Sequence, residues 1–395
     1  MSAPEHVVAR VEAFPLVYAE PHYRGAERCV TLVRIETDTG AVGWGEAISQ
    51  LPPATLATRL LVEQAFAPLV IGGDATEVEA HWHAMCRHAY WFGVEGIAAF
   101  AISAIDMALW DLKGKLLGQP VASLLGGRLR RELPAMGSII FDMDDLDWTL
   151  AEFQSMRDQG YRIVKAGWGM TLDSVFGTDR ARDLRYLTEV RGVIGDELSL
   201  VVDVPGAQRV WDLQTAQRRL REWEQFDLRW VEQPLHPAEL ELHRRLRAAT
   251  VTPVGTGEDE WGPESYRHVI ASGGVDVLQL DPGRCLGLTG CREVVRQVEA
   301  AGIRYSMHSW SGALNTAASL HVLALSEHGD TLDFKPHPSP MQHDVVADPW
   351  VQRDGLLALR DAPGLGVEIE EAALGRFALG RRRYRLISSG ACQTC

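Results

Sequence analysis

The chain has 395 residues, more than the roughly 100–200 of one ordinary domain, so two domains or one large α/β barrel with an addition are expected. Its composition, 46% hydrophobic and 23% charged, is typical of a soluble globular protein, and no stretch approaches the ~18 apolar residues of a membrane span. The formal net charge of −14 argues against a nucleic-acid partner, because the arginine-rich stretches at 128–131 and 380–385 are too short to form a basic face.

Residues 1–133 have the pattern of an α+β domain. The sequence starts with MSAPEHVVARVEAF, which lacks the basic and apolar regions of a signal peptide, so a cytoplasmic enzyme is expected. Alternating apolar residues in VVARVEAFPLVYAE and CVTLVRIETDTGAVGWGEA, with a turn signal at TDTG, predict an antiparallel meander. Helical periodicity then predicts helices from about 55 to 70 and from 76 to 118.

Residues 134–350 consist of repeated strand–helix units. Short β-rich runs alternate with amphipathic stretches that end at Gly, such as RARDLRYLTEVRGVIG, and this alternation predicts a parallel (β/α) barrel. A doubly wound open sheet is the competing architecture, but the sequence lacks the GxGxxG motif with which the dinucleotide-binding form usually begins. The eight β-rich runs are PAMGSII, YRIVKAG, LSLVVDV, LRWVEQ, TPVGTGE, VDVLQLD, IRYSMHS and TLDFKP.

Residues 351–395 are expected to return to the first domain and to end in a frayed tail. The tail includes the terminal CQTC, because a CxxC pair at the end of a chain, with no second pair, is a weak indication of a redox or metal site. The other four of the six cysteines are expected to be reduced and mostly buried thiols.

The predicted barrel strands from the second to the seventh each end in an ionisable residue. Because the carboxyl ends of barrel strands point to the same face, residues from distant parts of the sequence converge there. The last five of these residues are 23 to 29 positions apart, about one strand–helix unit each. The sequence therefore predicts one site at the barrel mouth that contains Lys165, Asp203, Glu232, Glu258, Asp281 and His308.

Asp203, Glu232 and Glu258 form the predicted metal site. Any one of them alone could be a solvated acid at a strand end, but all three occur in register. Three carboxylates in one cleft repel each other, and a divalent cation relieves that repulsion. Mg²⁺ prefers carboxylate oxygens and keeps open positions for water and substrate, so Mg²⁺ is the expected cofactor.

Asp281 and His308 form the predicted acid–base pair. A carboxylate beside an imidazole fixes its tautomer and raises its pKa above the reference of about 6.5, so His308 could accept a proton and return it. His321, inside a helical run, is interpreted as structural. Lys165 could bind a substrate carboxylate or act as a base, and its alternative role is an ion-pair partner of the metal-binding acids.

Motifs spread over nearly the whole chain carry a family resemblance. They are GWGEA (43–47), AISAIDMALWDLKGKLLGQPVASLLGG (101–127), VVD (201–203), VEQP (231–234), TGE (256–258), VDVLQLDPGRCLGLTG (275–290), HSW (308–310) and PGLG (363–366). In this order they resemble the mandelate racemase and muconate lactonizing branch of the enolase superfamily. The resemblance implies an N-terminal α+β capping domain over a modified (β/α)7β barrel, with one Mg²⁺ per subunit. It also implies abstraction of the α-proton of a small-molecule carboxylate through an enediolate, and homo-oligomers such as dimers or octamers.

Three positions depart from the pattern of that family. The family often has a second lysine two residues after the first, as a base on the opposite face of the substrate, and here that position is Gly167. An Asn common two residues after the first metal ligand is Pro205, which is expected to alter the substrate pocket. Asp333 stands where the eighth strand usually offers Glu, and Lys335 and His337 after it are expected to hold an acid group of the substrate.

With one competent base, β-elimination of water is the simplest reaction. The resemblance then implies a dehydratase that converts a sugar acid to a 2-keto-3-deoxy acid, with loops near 17–28 and 48–54 over the substrate. His22, Tyr23 and Arg24 are expected to bind its distal hydroxyls or a second carboxylate, or else to form an ordinary surface loop. The alternatives are a racemase, epimerase or cycloisomerase of the same superfamily, or a non-catalytic homologue.

Overall fold

The structure, a computed structural model, describes residues 5–171 and 173–380. The frayed tail with its terminal CQTC was predicted for residues outside these ranges. Within them, an antiparallel sheet with helices is followed by a closed parallel barrel. None of the helices in these ranges combines the length and the apolar composition that crossing a membrane requires.

The N-terminal part contains a three-stranded antiparallel sheet, the predicted meander. Its strands are β1 (Val8–Glu20), β2 (Ala26–Thr37) and β3 (Val42–Gln50). Gly25 and Gly40 adopt φ values of 81° and 85° at the turns between the strands, a conformation that glycine adopts without strain. The segment 17–28, predicted as a loop, is the end of β1, a 3₁₀ turn (Pro21–Tyr23) and the start of β2.

Five helices follow this sheet. The predicted helix from 76 to 118 is interrupted, because Gly93 and Gly96 take φ values of 96° and 73° that a right-handed helix does not allow. The helices are α1 (Pro52–Leu60), α2 (Ala67–Val70), α3 (Val78–Ala89), α4 (Ile97–Leu117) and α5 (Val121–Leu125), with a π-helical stretch (Leu61–Phe66) between α1 and α2.

Helix α4 lies directly on β3, and the glycines of the GWGEA motif allow this contact. A Cβ at Gly43 would lie 2.2 Å from the carbonyl oxygen of Ala108, and one at Gly45 would lie 2.0 Å from that of Ala104. Both distances are far below van der Waals contact, so a side chain at either position would push α4 off the sheet. The close fit explains why α4 is buried over most of its length.

Eight parallel strands form the barrel, which closes because the last of them pairs with the first. Closure excludes the doubly wound sheet, and a crossover helix follows each strand except the last, so the fold is the predicted (β/α)7β barrel. The strands are β4 (Glu132–Ile140), β5 (Ile163–Gly167), β6 (Ser199–Asp203), β7 (Leu228–Glu232), β8 (Val254–Thr256), β9 (Val277–Leu280), β10 (Arg304–Met307) and β11 (Gly329–Phe334). The crossover helices are α6 (Leu146–Asp158), α7 (Arg180–Ile194), α8 (Leu213–Trp223), α9 (Leu240–Arg247), α10 (Pro263–Ser272), α11 (Gly287–Ala301) and α12 (Ala313–Leu323).

A small apolar cluster from five barrel strands is separate from the main core. It consists of Met136, Ile163, Val201, Trp230 and Val277, all at most 8% exposed. The polar side chains of the predicted site lie toward the carboxyl ends of the strands. The apolar cluster therefore fills the barrel beneath the site and leaves one mouth for chemistry.

The C-terminal segment contacts both parts of the chain. It contains α13 (Pro340–His343), β12 (Leu356–Ala358) and α14 (Glu371–Leu374). Strand β12 pairs antiparallel with β4 of the barrel. Further on, the backbone N–H of Leu365 donates to Asp111 Oδ1 on α4 at 2.8 Å, while Asp111 Oδ2 accepts the N–H of Trp44 on β3 at 2.9 Å. The domain limits at 133 and 350 stay predictions.

Candidate active site

Six barrel strands bring the six predicted ionisable residues to one mouth. All of them except Glu232 line a single cavity of about 610 Å³. Lys165 lies within β5, Asp203 and Glu232 end β6 and β7, Glu258 follows β8, and Asp281 and His308 directly follow β9 and β10.

Asp203, Glu232 and Glu258 can each offer one carboxylate oxygen to a common ion, because these oxygens lie within 4.8 Å of one another. Asp203 Oδ1 and Glu258 Oε2 are buried and have no hydrogen-bond partner among the described residues, although buried oxygens are normally paired. Burial, together with the charge of Glu232, raises the pKa of Glu258 to about 7 and raises that of Asp203 well above its usual value. Carboxylate oxygens that lack a hydrogen-bond partner and lie this close together can serve as ligands of a hard divalent cation.

Glu232 is held in place by its own set of donors. Trp230 Nε1 and Gln279 Nε2 donate to Glu232 Oε2 at 3.1 and 3.3 Å. Lys165 Nζ donates to the other oxygen, Oε1, at 2.5 Å. Such outer partners orient the ligands of metal sites, so Glu232 is a preorganised member of the cluster.

Lys165 is buried, and its ammonium group faces three acids. Its Nζ lies 2.5 Å from Glu232, 3.3 Å from Asp203 Oδ2 and 3.4 Å from Asp333 Oδ2. Burial lowers the pKa of Lys165, but the attraction of these acids outweighs burial and holds that pKa well above its usual value. The geometry is that of the ion-pair partner, and the position of Lys165 on the cavity wall also permits contact with a substrate carboxylate.

His308 and Asp281 are directly hydrogen-bonded. His308 Nδ1 lies 2.6 Å from Asp281 Oδ2, so Nδ1 donates to the carboxylate and Nε2 is the free nitrogen, 3.7 Å from Glu258 Oε2. Burial lowers the pKa of His308, but the charge of Glu258 and the bond to Asp281 outweigh it and raise the pKa to about 9. A strongly basic imidazole thus lies beside the acid cluster.

The N-terminal part forms the wall of the cavity that faces the barrel mouth. The predicted segment 48–54 contributes residues 48–51 and Ala54, and the hairpin of β1 and β2 contributes Tyr23 and Arg28. The remaining lining residues are Phe100, Ser138, Ile139, Ile140, Gly167, Trp168, Gly169, Met170, Thr171, Asp259, Arg284 and Trp310.

Of the three residues predicted on the first hairpin to bind substrate, Tyr23 lines this cavity, whereas His22 and Arg24 do not. His22 is buried, and its Nδ1 lies 2.8 Å from Glu20 Oε1. The Arg24 guanidinium turns outward and lies 2.7 Å from Asp142 Oδ2. Substrate contact by His22 and Arg24 stays a prediction, since both side chains pair with acids of the protein, His22 in the interior and Arg24 at the surface.

Asp333, Lys335 and His337 also lie outside the lining of the cavity. Asp333 sits behind Lys165, buried in the barrel. Lys335 Nζ lies 2.5 Å from Glu20 Oε2, and His337 Nε2 lies 2.7 Å from the carboxylate of Glu152. The acid group that Lys335 holds therefore belongs to the protein, and a substrate-binding role for these three residues stays a prediction.

Sequence reasoning missed several residues of the cavity wall. Trp310 belongs to the HSW motif, two positions after His308, so a signal was present, and its Nε1 donates to Ser138 Oγ at 3.0 Å. Arg28 lies at the end of the predicted segment 17–28. Pro205, expected to alter the pocket, is not among the lining residues.

Gly167, at the position of the second lysine in the related pattern, has no room for a side chain. A Cβ there would lie 1.8 Å from the backbone oxygen of Asp203 and 2.6 Å from its Cβ. Strand β5 therefore touches the end of β6 at the residue that carries the first acid of the cluster. A second base on β5 would require the two strands to separate at this point.

The Gly167→Ala variant is expected to lose about 1–3 kcal/mol of unfolding free energy and to bind divalent cations more weakly, because the new methyl group displaces Asp203. Thermal unfolding with and without Mg²⁺ measures both effects. The matched control is Gly192→Ala in α7, where a Cβ meets nothing within 4 Å. There the same change should be neutral or stabilise by up to about 1 kcal/mol. Equal behaviour of the two variants would contradict the packing argument.

Two family descriptions together match most of the chain. The enolase C-terminal domain-like family matches residues 148–373. The N-terminal domain of the mandelate racemase / muconate lactonizing enzyme family matches residues 7–126.

Two named relatives extend this similarity over nearly the full length. The chain is 30% identical to D-galactarolactone cycloisomerase of Agrobacterium fabrum, over 89% of this chain and 92% of that one. It is also 30% identical to D-galactonate dehydratase of Xanthomonas axonopodis pv. citri, over 90% of this chain and 92% of that one. Among solved structures, L-talarate dehydratase from Polaromonas sp. JS666, complexed with Mg and L-glucarate, has a TM-score of 0.82 at 25% identity and covers 95% of this chain and 98% of that one.

Proposed function

Because the chain belongs to the mandelate racemase and muconate lactonizing branch of the enolase superfamily, we propose that it is a Mg²⁺-dependent acid-sugar dehydratase. The observation that carries the proposal is the hydrogen-bonded pair of His308 and Asp281 beside the cluster of three acids. The substrate is a small carboxylate that fits the cavity at the barrel mouth. A cytoplasmic location and a dimeric or octameric state are part of the same proposal.

His308 is the base of the proposed reaction. Its Nε2 takes the α-proton of the substrate, while Asp281 keeps the proton on Nδ1 and balances the imidazolium that forms. Lys165 places its positive charge near the substrate carboxylate. Mg²⁺ between Asp203, Glu232 and Glu258 would supply further positive charge where the enediolate develops negative charge.

Elimination completes the reaction with the same histidine. The electron pair of the broken C2–H bond forms the C2–C3 double bond as the C3–O bond breaks. The protonated His308 returns its proton to the departing 3-hydroxyl, which leaves as water, and the resulting enol tautomerises to a 2-keto-3-deoxy acid. Gly167 supports this over two-base racemisation, because β5 has no room for a second lysine at position 167.

A cycloisomerase is the second candidate, and a relative at 30% identity favours it. Such an enzyme uses the same α-proton abstraction, but the leaving oxygen stays attached because the bond that breaks belongs to a ring. An acyclic sugar acid loses water, whereas a lactone substrate opens without loss of atoms. The two candidates therefore differ in substrate, not in the base.

Screening a library of mono- and diacid sugars, together with their lactones, tests the proposal. With Mg²⁺ present, at least one acyclic acid should release a semicarbazide-reactive 2-keto acid, and mass spectrometry should show the loss of one water. In D₂O, α-deuterium exchange without keto-acid formation would favour a racemase or epimerase. Turnover of lactones alone would favour the cycloisomerase, and no turnover or exchange with any compound would favour a non-catalytic protein.

A further inference from the structure

We propose that Arg28 selects a substrate with two carboxylates, by binding the carboxylate farther from the reacting carbon. This inference rests on the proposed function and adds the substrate class to it. The relatives leave this choice open, since galactonate has one carboxylate and glucarate has two. The positions and partners of the cavity arginines favour the diacid.

Arg28 is fixed at the end of the cavity that the N-terminal sheet forms. Its Nη1 donates to Gln50 Oε1 at 2.9 Å, and its guanidinium lies 4.3 Å from the centre of the Tyr23 ring. Tyr23 packs edge-on against Trp310, with ring centres 5.5 Å apart, and Trp310 is two residues after His308. The Tyr23 and Trp310 rings therefore connect the guanidinium to the segment that carries His308.

Arg28 makes its side-chain contacts with neutral residues. Gln50 accepts a hydrogen bond from the guanidinium, and the Tyr23 ring lies over it. The acids that line the cavity lie at the carboxyl ends of the barrel strands, whereas Arg28 lies on β2 of the N-terminal sheet. A half-buried guanidinium with free N–H groups matches a carboxylate, which it can bind with two parallel hydrogen bonds.

Arg284, the other arginine of the cavity wall, is already engaged by the protein. Its Nη2 donates to the backbone oxygen of Asp259 at 2.6 Å, and its guanidinium stacks on Trp261 at 3.6 Å from the ring centre. These contacts hold the loop that follows Glu258. Arg28, with one hydrogen bond to a side-chain amide, has more donors left for a ligand.

The test compares six-carbon aldarates with aldonates of matching configuration, in the Mg²⁺-loaded full-length protein and its Arg28→Gln and Arg28→Lys variants. Arg28→Gln should lower kcat/KM for the preferred aldarate by about 10- to 100-fold, because a hydrogen bond to a charged group is lost, and should leave aldonates within about threefold. Arg28→Lys should lower kcat/KM for the aldarate less, because lysine keeps the positive charge but cannot donate two parallel hydrogen bonds to one carboxylate. Arg10→Gln is the control, since Arg10 is exposed on β1 of the same sheet and does not line the cavity.

Calorimetric titration with the same compounds keeps the inference separate from the proposed reaction. If no compound is turned over, the proposed function fails, but tighter binding of an aldarate to the wild type than to Arg28→Gln would still support the role of Arg28. The inference is overturned if the wild type prefers aldonates, if Arg28→Gln weakens both classes equally, or if no aldarate binds. Unchanged melting temperatures show that the variants fold.

Discussion

The His308→Asn variant is expected to retain less than about one-thousandth of the wild-type kcat for keto-acid release. A single positioned acid–base group contributes roughly 10²- to 10⁴-fold, and His308 would act twice in the proposed reaction, in taking the α-proton and in returning it. The asparagine amide can still donate to Asp281 Oδ2, as Nδ1 does at 2.6 Å in the wild type, so the site should keep its shape. Steady-state kinetics should show the fall in kcat, and the rate of α-proton exchange in D₂O should fall by a similar factor.

The control for this variant is His328→Asn, at the opposite end of the barrel. His328 precedes β11 and its Nδ1 lies 2.9 Å from the backbone oxygen of Ile303, so the same substitution removes a similar hydrogen bond far from the site. It should keep kcat within about twofold. Affinity for Mg²⁺ should be nearly unchanged in both variants. If His308→Asn still exchanges the α-proton at the wild-type rate, another group is the base.

The members of the acid cluster and the acid–base pair were predictable from two features of the sequence. Short β-rich runs recur once per strand–helix unit, and an ionisable residue lies at or near the end of six of them. Asp203 and Glu232 end barrel strands and Asp281 directly follows one, and a closed barrel brings such ends to one mouth whatever lies between them. The strand periodicity itself is local information. Only the closure, which pairs β11 with β4, is a property of the whole chain, and the repeated strand–helix unit already implied it.

The substrate-contacting residues were less predictable, because side-chain direction depends on partners far away in sequence. Lys335 and Glu20 are 315 positions apart, and their buried ion pair turns Lys335 away from the cavity. Neighbouring residues of one hairpin behave differently for the same reason: Tyr23 faces the cavity, while Arg24 pairs with Asp142. No periodicity within the segment distinguishes these outcomes.

Gly167 illustrates a third case, in which the sequence gives the identity of a residue but not its physical reason. The missing lysine indicated the loss of one base, but the 1.8 Å approach of a Cβ to the Asp203 backbone is a property of the packed strands. The atoms that block a side chain at position 167 belong to Asp203, the first acid of the cluster. The packing that positions this acid therefore also excludes a second lysine at position 167.

Chelation of divalent cations by EDTA is expected to abolish keto-acid release, and added Mg²⁺ should restore it. Asp203→Asn should raise the Mg²⁺ concentration for half-maximal activity by more than about 100-fold, because outer partners of metal ligands alone are worth about 10- to 100-fold in affinity. Asp203 offers an unpaired buried oxygen to the ion, and the amide of Asn is a poorer ligand. A metal titration of initial rates measures this shift. Full activity of the wild type in EDTA would exclude a catalytic metal.

Thermal unfolding tests the same site without any substrate. Mg²⁺ at one hundred times its Kd should stabilise the wild type by about 2.7 kcal/mol, while Asp203→Asn should gain almost nothing at that concentration. In EDTA the wild type should be no more stable than Asp203→Asn, or less stable. Burial and the neighbouring acids disfavour the charged form of Asp203, and a neutral amide of the same shape avoids this destabilisation. The control is Asp196→Asn, an exposed position before the start of β6, which should leave both the melting temperature and its Mg²⁺ response unchanged. If Asp203→Asn responds to Mg²⁺ as the wild type does, the three acids do not form the metal site.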